Sequence, residues 1–400
     1  MMRVDVVVVG AGPAGAAAAI LLTERGLAVT VLDRAELPRP KICGEYLSPE
    51  AARVLDRLGV LKTLDTAGAA PLAGMRITAP DGTVLVGRYR AVGAFRPYRE
   101  HAMGVERATL DSVLAERLRA LPVDFRERAR VTDVLLDGDR VIGVSGVDAE
   151  GAPLTLRTPL VIAADGRHST VAQRLGLRRA HRLRRMALVT YVSGIPDCRD
   201  FGEIFVDPPD YAILNPLAPD RINLSLVVPL DDAAPWSGRL ETFFRARARQ
   251  LPHLARRLAG ARQEAPVRAL GPLAYRVDEP RVGGVLLVGD AGGFYDPFTG
   301  EGIFTALRSA ELAADVAAHA VRDGDVSARG LAVYARERRR TFAGKARVTR
   351  ALQLLIRRRA LANVAARALA ARPALLDAVL GVIGDFVPPA TLASAALRAK

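Results

Sequence analysis

The sequence of 400 residues has little of what several classes of protein depend on. Its 2 cysteines cannot form a disulfide framework, and its 5 histidines are scattered without the spacing of metal ligands. No stretch reaches the roughly 18 consecutive apolar residues that a membrane-spanning helix needs. We therefore expect no structural disulfide, no metal ion and no transmembrane segment.

Positive charge, in contrast, is abundant, and arginine supplies nearly all of it. Lysine and arginine number 57 against 43 aspartates and glutamates, which gives a formal net charge of +14 at pH 7. This balance favours anionic partners such as phosphates, acidic lipids and carboxylated substrates. Zinc-ligand spacings, RNA-binding aromatic motifs and helix-turn-helix patterns are not found, so we predict no nucleic-acid binding. The chain begins in a predicted strand without a secretory leader, so we expect a cytoplasmic protein.

A glycine-rich turn follows the first predicted strand, which covers residues 4–9. The turn has the pattern Gly-x-Gly-x-x-Gly and leads into a helix and then a second strand that ends at Asp33. In this context Gly10 permits a tight turn, Gly12 lets the backbone approach a pyrophosphate, and Gly15 lets the helix pack closely on the strand. Asp33 is placed to accept hydrogen bonds from the hydroxyls of an adenosine ribose.

Two further predicted strands end in acidic residues. The strand over residues 155–164 is followed by Asp165, and the strand over residues 285–288 is followed by Asp290. A turn rich in glycine and proline, residues 291–301, then leads into an amphipathic helix. Because parallel strands bind ligands at their carboxyl ends, we expect these segments and the glycine-rich turn to surround one site.

These elements predict an α/β protein with a Rossmann-type domain on a parallel sheet, an inserted domain with an antiparallel sheet, and a C-terminal helical region. The first domain is assigned residues 1–74, 100–180 and 278–325, the second residues 75–99 and 181–277, and the helical region residues 326–400. Two basic amphipathic helices are predicted over residues 326–342 and 345–361. We expect their apolar faces to pack on the protein itself, and peripheral contact with an anionic membrane is the alternative.

Taken together, the three motifs resemble the FAD-dependent enzymes of the p-hydroxybenzoate hydroxylase-like superfamily over about residues 1–320. The resemblance implies bound FAD, with its pyrophosphate at residues 10–15, its adenosine ribose at Asp33 and its ribityl chain at Asp290. It also implies that the isoalloxazine ring lies beside residues 297–303. The residues implied to bind the cofactor are Gly10, Gly12, Ala14, Gly15, Asp33, Arg34, Arg107, Asp165, Gly289, Asp290, Pro297, Gly300, Gly302 and Ile303.

Two segments are similar to the geranylgeranyl reductase-like branch of this superfamily. They are the turn Gly300-Glu301-Gly302-Ile303 and the loop Lys41-Ile42-Cys43-Gly44-Glu45. The aromatic Tyr/Trp-x-Phe-Pro strand of that branch is only partly matched by residues 211–216. The Trp-x-Trp-x-Ile-Pro element of flavin halogenases is absent, because the only tryptophan is Trp236. The candidate catalytic residues are Cys43, Glu45, Tyr46 and Glu301.

The resemblance implies hydride transfer from reduced FAD to a carbon–carbon double bond of a hydrophobic isoprenoid, quinone or polyketide-like substrate, with protonation of the other carbon. Since no second glycine-rich βαβ unit is found, NAD(P)H is expected as a transient electron donor without a domain of its own. Two alternatives stay open. One is a monooxygenase that hydroxylates an aromatic or polyketide substrate through a C4a-hydroperoxide, and the other is a flavin- or lipid-binding accessory protein at a membrane surface.

Overall fold

The computed structural model describes residues 4–392, which form twenty-one strands and twelve α-helices. The strands are β1 (Val6–Val9), β2 (Val29–Leu32), β3 (Tyr46–Leu47), β4 (Ala70–Leu72), β5 (Gly74–Thr78), β6 (Val84–Arg88), β7 (Ala102–Gly104), β8 (Asp124–Arg126), β9 (Arg130–Asp137), β10 (Arg140–Val147), β11 (Pro153–Arg157), β12 (Leu160–Ala163), β13 (Arg178–Ala180), β14 (Arg185–Ser193), β15 (Phe201–Asp207), β16 (Asp210–Ala218), β17 (Arg221–Pro229), β18 (Arg262–Gln263), β19 (Arg268–Leu270), β20 (Tyr275–Val277) and β21 (Val285–Leu287). The helices are α1 (Pro13–Glu24), α2 (Pro49–Arg57), α3 (Leu61–Thr66), α4 (Arg107–Arg119), α5 (Thr170–Arg174), α6 (Leu230–Ala233), α7 (Leu240–Gln250), α8 (Pro252–Arg257), α9 (Gly302–Asp323), α10 (Ala328–Leu355), α11 (Arg359–Ala370) and α12 (Pro373–Ile383).

A five-stranded parallel sheet in the order β21-β12-β1-β2-β8 forms one half of the molecule. Its central strand β1 consists of four valines that are buried on both faces, as expected of a parallel strand covered on both sides. The carboxyl ends of β1, β12 and β21 lie side by side at one edge. The prediction of an α/β fold built on a parallel sheet is confirmed.

The glycine-rich turn between β1 and α1 is packed too tightly for side chains. Gly10 has φ +96°, and a Cβ atom on it would lie 2.6 Å from the carbonyl oxygen of Ala164. A Cβ atom on Gly15 would lie 1.8 Å from the carbonyl oxygen of Gly10. Larger residues at these two positions would therefore push α1 away from the sheet.

The second large sheet has eight strands in the order β18-β14-β17-β16-β15-β5-β6, with β19 also paired to β14. All its pairs are antiparallel except β15 with β5. Successive side chains alternate between its two faces, so Val227 belongs to one core cluster while Leu226 and Val228 belong to another, which includes residues of α7 and α8. The sheet therefore has one face covered by helices and a second face turned toward the rest of the protein.

One predicted strand is divided in the structure. Residues 155–164 are not continuous, because β11 joins a three-stranded sheet with β10 and β9 while β12 lies in the parallel sheet. Between them the backbone N–H of Thr158 makes the last bond to β10, at Ile142, while its hydroxyl donates to the carbonyl of Asp5 at 3.0 Å. Pro159 follows, and proline has no N–H to donate to a strand ladder. The break between the two strands could therefore have been predicted from this proline.

In the C-terminal region, two predicted helices are joined into one. Instead of two helices over residues 326–342 and 345–361, α10 runs without interruption over 28 residues and continues through Gly344. Glycine ends helices only weakly by itself, and here Gly344 lies against the side chain of Pro389, where a Cβ atom would be 3.1 Å from its Cγ. Within residues 4–392, no helix is long and apolar enough to cross a membrane.

A buried ion pair fixes the end of α12 against α10. The ammonium group of Lys345 donates to Asp385 Oδ1 at 2.5 Å and to the carbonyl of Ile383 at 2.9 Å. Burial raises the pKa of Asp385 to about 6, although Lys345 acts in the opposite direction. The fold therefore holds a carboxylate whose ionisation costs more in the folded protein than in the unfolded chain.

Asp385→Asn tests this assignment. Because the folded-state pKa of Asp385 is about 6 and its ordinary value is 3.8, the folded protein binds this proton more tightly than the unfolded chain. As the pH rises from about 4 to about 6, the wild type should lose stability relative to the variant, by up to about 3 kcal/mol at about 1.4 kcal/mol per pKa unit. Urea unfolding across this range measures the difference. Asp137→Asn, at an exposed position, should show no such trend, and a flat difference for Asp385→Asn would contradict the prediction.

Candidate functional site

A cavity of about 840 Å³ lies between the carboxyl ends of β1, β12 and β21 and one face of the eight-stranded sheet. It is lined by most of the residues implied to bind a cofactor: Gly10, Gly12, Ala14, Asp33, Arg34, Arg107, Asp165, Asp290, Pro297, Gly300, Gly302 and Ile303. Three of the candidate catalytic residues, Cys43, Glu45 and Tyr46, line it as well. The fold thus brings segments that are far apart in the chain to a single cavity.

Three of the predicted site residues do not line this cavity: Gly15, Gly289 and Glu301. Gly15 packs against the backbone of Gly10, and Gly289 donates its N–H to the hydroxyl of Ser309 at 2.9 Å. Both therefore shape the turns beneath the cavity. Glu301 lies just before α9, and its carboxylate is 3.6 Å from the ammonium group of Lys345, so the structure gives it no place on the cavity wall.

One end of the cavity is strongly positive. A Cβ atom on Gly12 would lie 3.6 Å from a guanidinium nitrogen of Arg107 and 3.7 Å from one of Arg39. Lys41 lines the same region, and its pKa is lowered by burial and by the charges of Arg107 and Arg39. The first turn of α1 adds backbone N–H groups at the positive end of a helix dipole. This end of the cavity is therefore suited to a phosphate-containing group.

Arg107 is held in place at the start of α4 rather than being free to move. Its Nε donates to Asp111 Oδ1 at 2.8 Å, and its backbone N–H donates to Glu45 Oε1 at 2.8 Å. Burial opposes the charge, but the carboxylate of Asp111 raises the pKa of Arg107 above its ordinary value. The guanidinium group therefore stays charged in a buried position beside the glycine-rich turn.

Asp33, at the end of β2, is almost completely buried. Its Oδ2 accepts the backbone N–H of Ala11 at 2.7 Å, and its Oδ1 accepts that of Ala35 at 2.9 Å. These bonds orient the carboxylate toward the cavity edge, and each oxygen keeps a second lone pair. That geometry is compatible with the predicted contact to ribose hydroxyls.

The other two strand-terminal aspartates keep unused hydrogen-bonding capacity. Asp165 Oδ2 accepts the N–H of Thr170 at 2.7 Å, whereas its buried Oδ1 has no partner among residues 4–392. The carboxylate of Asp290 accepts no hydrogen bond from any of residues 4–392. Burial raises the pKa of Asp290, and the nearby charges of Lys41 and Arg167 oppose that effect. Acceptors that face a cavity in this way suit a polyhydroxylated chain.

The turn from Pro297 to Thr299 is anchored from below by one carboxylate. Asp296 is 1% exposed, and its Oδ1 accepts hydrogen bonds from Tyr211 Oη at 2.6 Å, Gln353 Nε2 at 2.7 Å and the backbone N–H of Phe298 at 3.0 Å. Burial raises the pKa of Asp296, and the bond from Tyr211 opposes this. The eight-stranded sheet and α10 therefore both hold the turn that lines the cavity.

Gly300, which follows this turn, is in direct contact with Tyr46. Its φ is +64°, and a Cβ atom would lie 2.5 Å from Tyr46 Cδ1, so no side chain fits here. The hydroxyl of Tyr46 is 2.6 Å from that of Tyr89, and burial raises the pKa of both groups far above neutral pH. Tyr46 is thus a neutral wall residue whose hydroxyl already has a partner.

Away from the charged end, the cavity becomes an apolar chamber. One face of the eight-stranded sheet, the loops beside it and α12 supply its wall. The apolar lining residues are Ile42, Met75, Ile77, Ala187, Val189, Ile204, Ile213, Val227, Leu270, Leu273, Phe294, Phe298, Leu380 and Ile383. A chamber of this composition favours a hydrophobic ligand.

Several residues at the site had no motif to identify them. Asp296 and Gln353 meet only in the tertiary structure, at the hydroxyl of Tyr211 from the partly matched aromatic strand, and the same holds for the contact between Tyr89 and Tyr46. Lys41 was part of a motif but not proposed for the site, and its signal was the run of basic residues at positions 34, 39 and 41. Among the described residues, no group of three or more His, Cys, Asp or Glu side chains is arranged to hold a metal ion.

Comparison with known proteins assigns the class of protein. Residues 3–349 match the model of a family described as "FAD binding domain", so the chain belongs to that family. Digeranylgeranylglycerophospholipid reductase 2 of Methanopyrus kandleri is 31% identical over 343 residues, which cover 83% of this chain and 81% of that protein. A 1H-pyrrole-2-carbonyl-(peptidyl-carrier protein) brominase of Pseudoalteromonas luteoviolacea is 25% identical over 80% of this chain and 79% of that protein.

Solved structures with the same fold include flavin-dependent halogenases. The flavin-dependent brominase Bmp2 superimposes with a TM-score of 0.85 at 22% identity, covering 99% of each chain. The myxobacterial chondrochloren halogenase CndH has a TM-score of 0.78 at 26% identity, covering 85% of this chain and 80% of that one. The protein is therefore an FAD-dependent oxidoreductase of the p-hydroxybenzoate hydroxylase-like superfamily.

The described residues fit FAD. Arg39, Lys41 and Arg107 converge beside the glycine-rich turn, where a pyrophosphate would accept hydrogen bonds from them in addition to the carboxylates of Asp33 and Asp111 that already lie near the two arginines. The unpartnered Oδ1 of Asp165 and the carboxylate of Asp290 can accept hydrogen bonds from hydroxyl groups. In this arrangement Gly10, Gly12 and Arg107 would hold the phosphates, and Asp290 the ribityl chain.

Asp290→Ala should weaken FAD binding by about tenfold to a hundredfold, because hydrogen bonds to a charged group contribute about 1.5–3 kcal/mol. The FAD affinity of Asp290→Asn should lie between those of the wild type and Asp290→Ala, because the amide oxygen still accepts a hydrogen bond. The flavin-to-protein absorbance ratio of purified protein and titration of the apoprotein with FAD measure the effect. Asp278→Ala, an exposed aspartate, is the matched control. Full FAD affinity in Asp290→Ala would refute the assignment.

Proposed function

We propose that this oxidoreductase reduces a carbon–carbon double bond of a hydrophobic isoprenoid, quinone or polyketide-like substrate. The observation that carries the proposal is the apolar chamber that continues directly from the turn at Pro297–Thr299. The similarity to digeranylgeranylglycerophospholipid reductases, at 30% and 31% identity over 83% of this chain, supports a reductive reaction. When bound, FAD would supply the hydride for this chemistry.

The chamber wall offers a substrate few polar contacts. Its polar members Asn215 and Ser225 are occupied, since Asn215 Nδ2 donates to the carbonyls of Gly44 at 3.1 Å and Glu45 at 2.9 Å, and Ser225 Oγ donates to Asn223 at 2.8 Å. These groups hold the loop that carries the candidate catalytic residues. The remaining wall is apolar, so it would exclude water and bind a substrate mainly through burial of apolar surface.

Cys43 is the best-placed proton donor of the three candidates that line the cavity. The carboxylate of Glu45 already accepts three hydrogen bonds, from the Arg107 N–H, from Tyr191 Oη at 2.9 Å and from Asn223 Nδ2 at 2.9 Å, which hold it in its charged, acceptor form. The hydroxyl of Tyr46 is engaged with another tyrosine. Burial raises the pKa of the Cys43 thiol, against the lowering effect of Arg107, so the thiol stays protonated near neutral pH. It could protonate the substrate carbon and recover the proton from solvent.

NAD(P)H, bound transiently from solution, is the electron donor in this proposal. Among the sheets of residues 4–392, only the five-stranded sheet is wholly parallel with a glycine-rich βα turn, and that turn belongs to the FAD site. A donor would therefore have to reach the flavin through the cavity opening. The donor would leave before the hydrophobic substrate enters.

An oxygen-dependent reaction is the second candidate, because the fold is shared with flavin-dependent halogenases and a monooxygenase could use the same chamber. The tryptophan-rich element of halogenases is absent here. Trp236, the sole tryptophan, packs near Phe243 in the core on the opposite face of the eight-stranded sheet and does not line the cavity. That placement favours the reductase over a halogenase.

Anaerobic photoreduction of the purified protein followed by mixing with candidate substrates separates the two reactions. We expect the flavin absorbance to return without oxygen, with a product that has gained one hydride and one proton. A geranylgeranyl lipid, a prenylated quinone and an unsaturated polyketide are suitable substrates. If product forms only with oxygen, and oxygen is consumed in proportion to it, the reductase proposal fails and the monooxygenase replaces it.

Cys43→Ala should slow product formation by at least about a hundredfold, the usual contribution of a general acid, and leave reduction of the flavin by NAD(P)H unchanged. Cys198→Ala, a buried cysteine outside the cavity, is the matched control. Stopped-flow absorbance separates the two half-reactions. If Cys43→Ala slows flavin reduction and product formation equally, or turns over as fast as the wild type, Cys43 is not the proton donor.

A further inference from the structure

The junction of α10 and α11 exposes an unusual number of large apolar side chains. Leu354 is 62% exposed, Leu355 36%, Leu361 43% and Val364 65%, and these are four of the nine exposed large hydrophobic residues in the described chain. Leu361 and Val364 are three residues apart in α11 and so share one side of that helix. We call these four residues, with the arginines beside them, the α10–α11 face.

The segment that carries this face has charged side chains of one sign only. Residues 338–376 contain no aspartate or glutamate but eleven basic residues: Arg338, Arg339, Arg340, Lys345, Arg347, Arg350, Arg357, Arg358, Arg359, Arg367 and Arg372. Some of these pair with carboxylates elsewhere, as Arg359 does with Asp207 and Arg367 with Asp81. Arg357 and Arg358, which connect the two helices, are exposed and form no ion pair with any described residue. Apolar side chains and unpaired positive charge therefore occur together.

The exposed side chains are not needed for the protein's own core. On the inner side of the same turn of α10, Gln353 donates to the buried Asp296, and Ile356 joins the core cluster beneath the cavity. Ala362 and Ala366 are the buried residues of α11. Both helices thus already have a partner on their inner sides, and the α10–α11 face lies on their outer sides.

We propose that the α10–α11 face docks on an anionic lipid bilayer. Leucine and valine side chains would enter the interface, while arginines reach the phosphates of the headgroups and lay their methylene stems along apolar surface. A second copy of this chain fits less well, because it would bring the same unpaired arginines together. The proposal concerns binding alone and holds for either reaction considered above.

Sedimentation with lipid vesicles tests the proposal on the full-length FAD-loaded protein. We expect binding to vesicles of equimolar phosphatidylcholine and phosphatidylglycerol, weaker binding at high salt, and little binding to phosphatidylcholine alone. Arg357→Gln with Arg358→Gln should weaken binding by about 30-fold, since each basic residue near the surface contributes about 1 kcal/mol and about 1.4 kcal/mol is a tenfold change. The double variant Leu354→Ser with Val364→Ser should bind these vesicles more weakly still than the arginine double variant.

Matched variants show whether the location of the change matters. Arg249→Gln with Arg256→Gln removes the same charge from α7 and α8, and Leu136→Ser removes an exposed apolar side chain in β9, away from both helices. Both controls should bind vesicles like the wild type, and the flavin spectrum of every variant should be unchanged. Equal loss in controls and face variants, or no vesicle binding by the wild type, would overturn the proposal.

Other occupants of the face would give different results. Light scattering on the wild type and on Leu354→Ser with Val364→Ser reports a second copy, and a dimer that the variant converts to monomer overturns the proposal. Binding of an acidic peptidyl-carrier protein, lost in Arg357→Gln with Arg358→Gln and without vesicle binding, overturns it as well. A monomer that binds only the anionic vesicles supports it.

Discussion

The carboxylate of Glu45 joins the two halves of the molecule, and the cavity depends on it. It is 2% exposed and accepts from the first residue of α4 and from Tyr191 and Asn223 of the eight-stranded sheet. Glu45 has φ +58°, a strained conformation that these three bonds and its carbonyl bond from Asn215 hold. Burial raises its pKa, which the hydrogen bonds oppose. The loop of the cavity wall that carries Glu45 is therefore fixed from both sides.

The cavity satisfies two demands that a single environment could not meet. A pyrophosphate requires positive charge and backbone donors, which the glycine-rich turn, Arg39, Lys41 and Arg107 supply. The hydrophobic substrate that we propose would require a wall without unpaired polar groups, which the eight-stranded sheet and α12 supply. The turn at Pro297–Thr299 lies where the two regions meet. Its anchor, Asp296, accepts hydrogen bonds from both the sheet and α10, so one carboxylate fixes this turn to the wall and to the C-terminal helices.

Where the sequence was informative, the determinants were local. The strand, glycine-rich turn and helix at the N-terminus follow from consecutive residues, and so does the placement of Asp165 and Asp290 at strand ends. Glu301 shows the limit of a motif, because its neighbours Gly300 and Gly302 line the cavity while its own side chain turns to Lys345. Sequence gives the position of a residue along a turn, but the direction of its side chain depends on the partner that another element offers.

The sequence by itself therefore determined the α/β class, the parallel sheet and the FAD-binding family, since each follows from short motifs whose geometry is set by neighbouring residues. The tertiary structure alone decided how residues far apart in the chain combine: Asp296 with Tyr211 and Gln353, Glu45 with Asn223, and Lys345 with Asp385. It also decided which side of α10 and α11 is covered. A buried polar group needs a partner, and only the packing of distant elements determines which partner it finds.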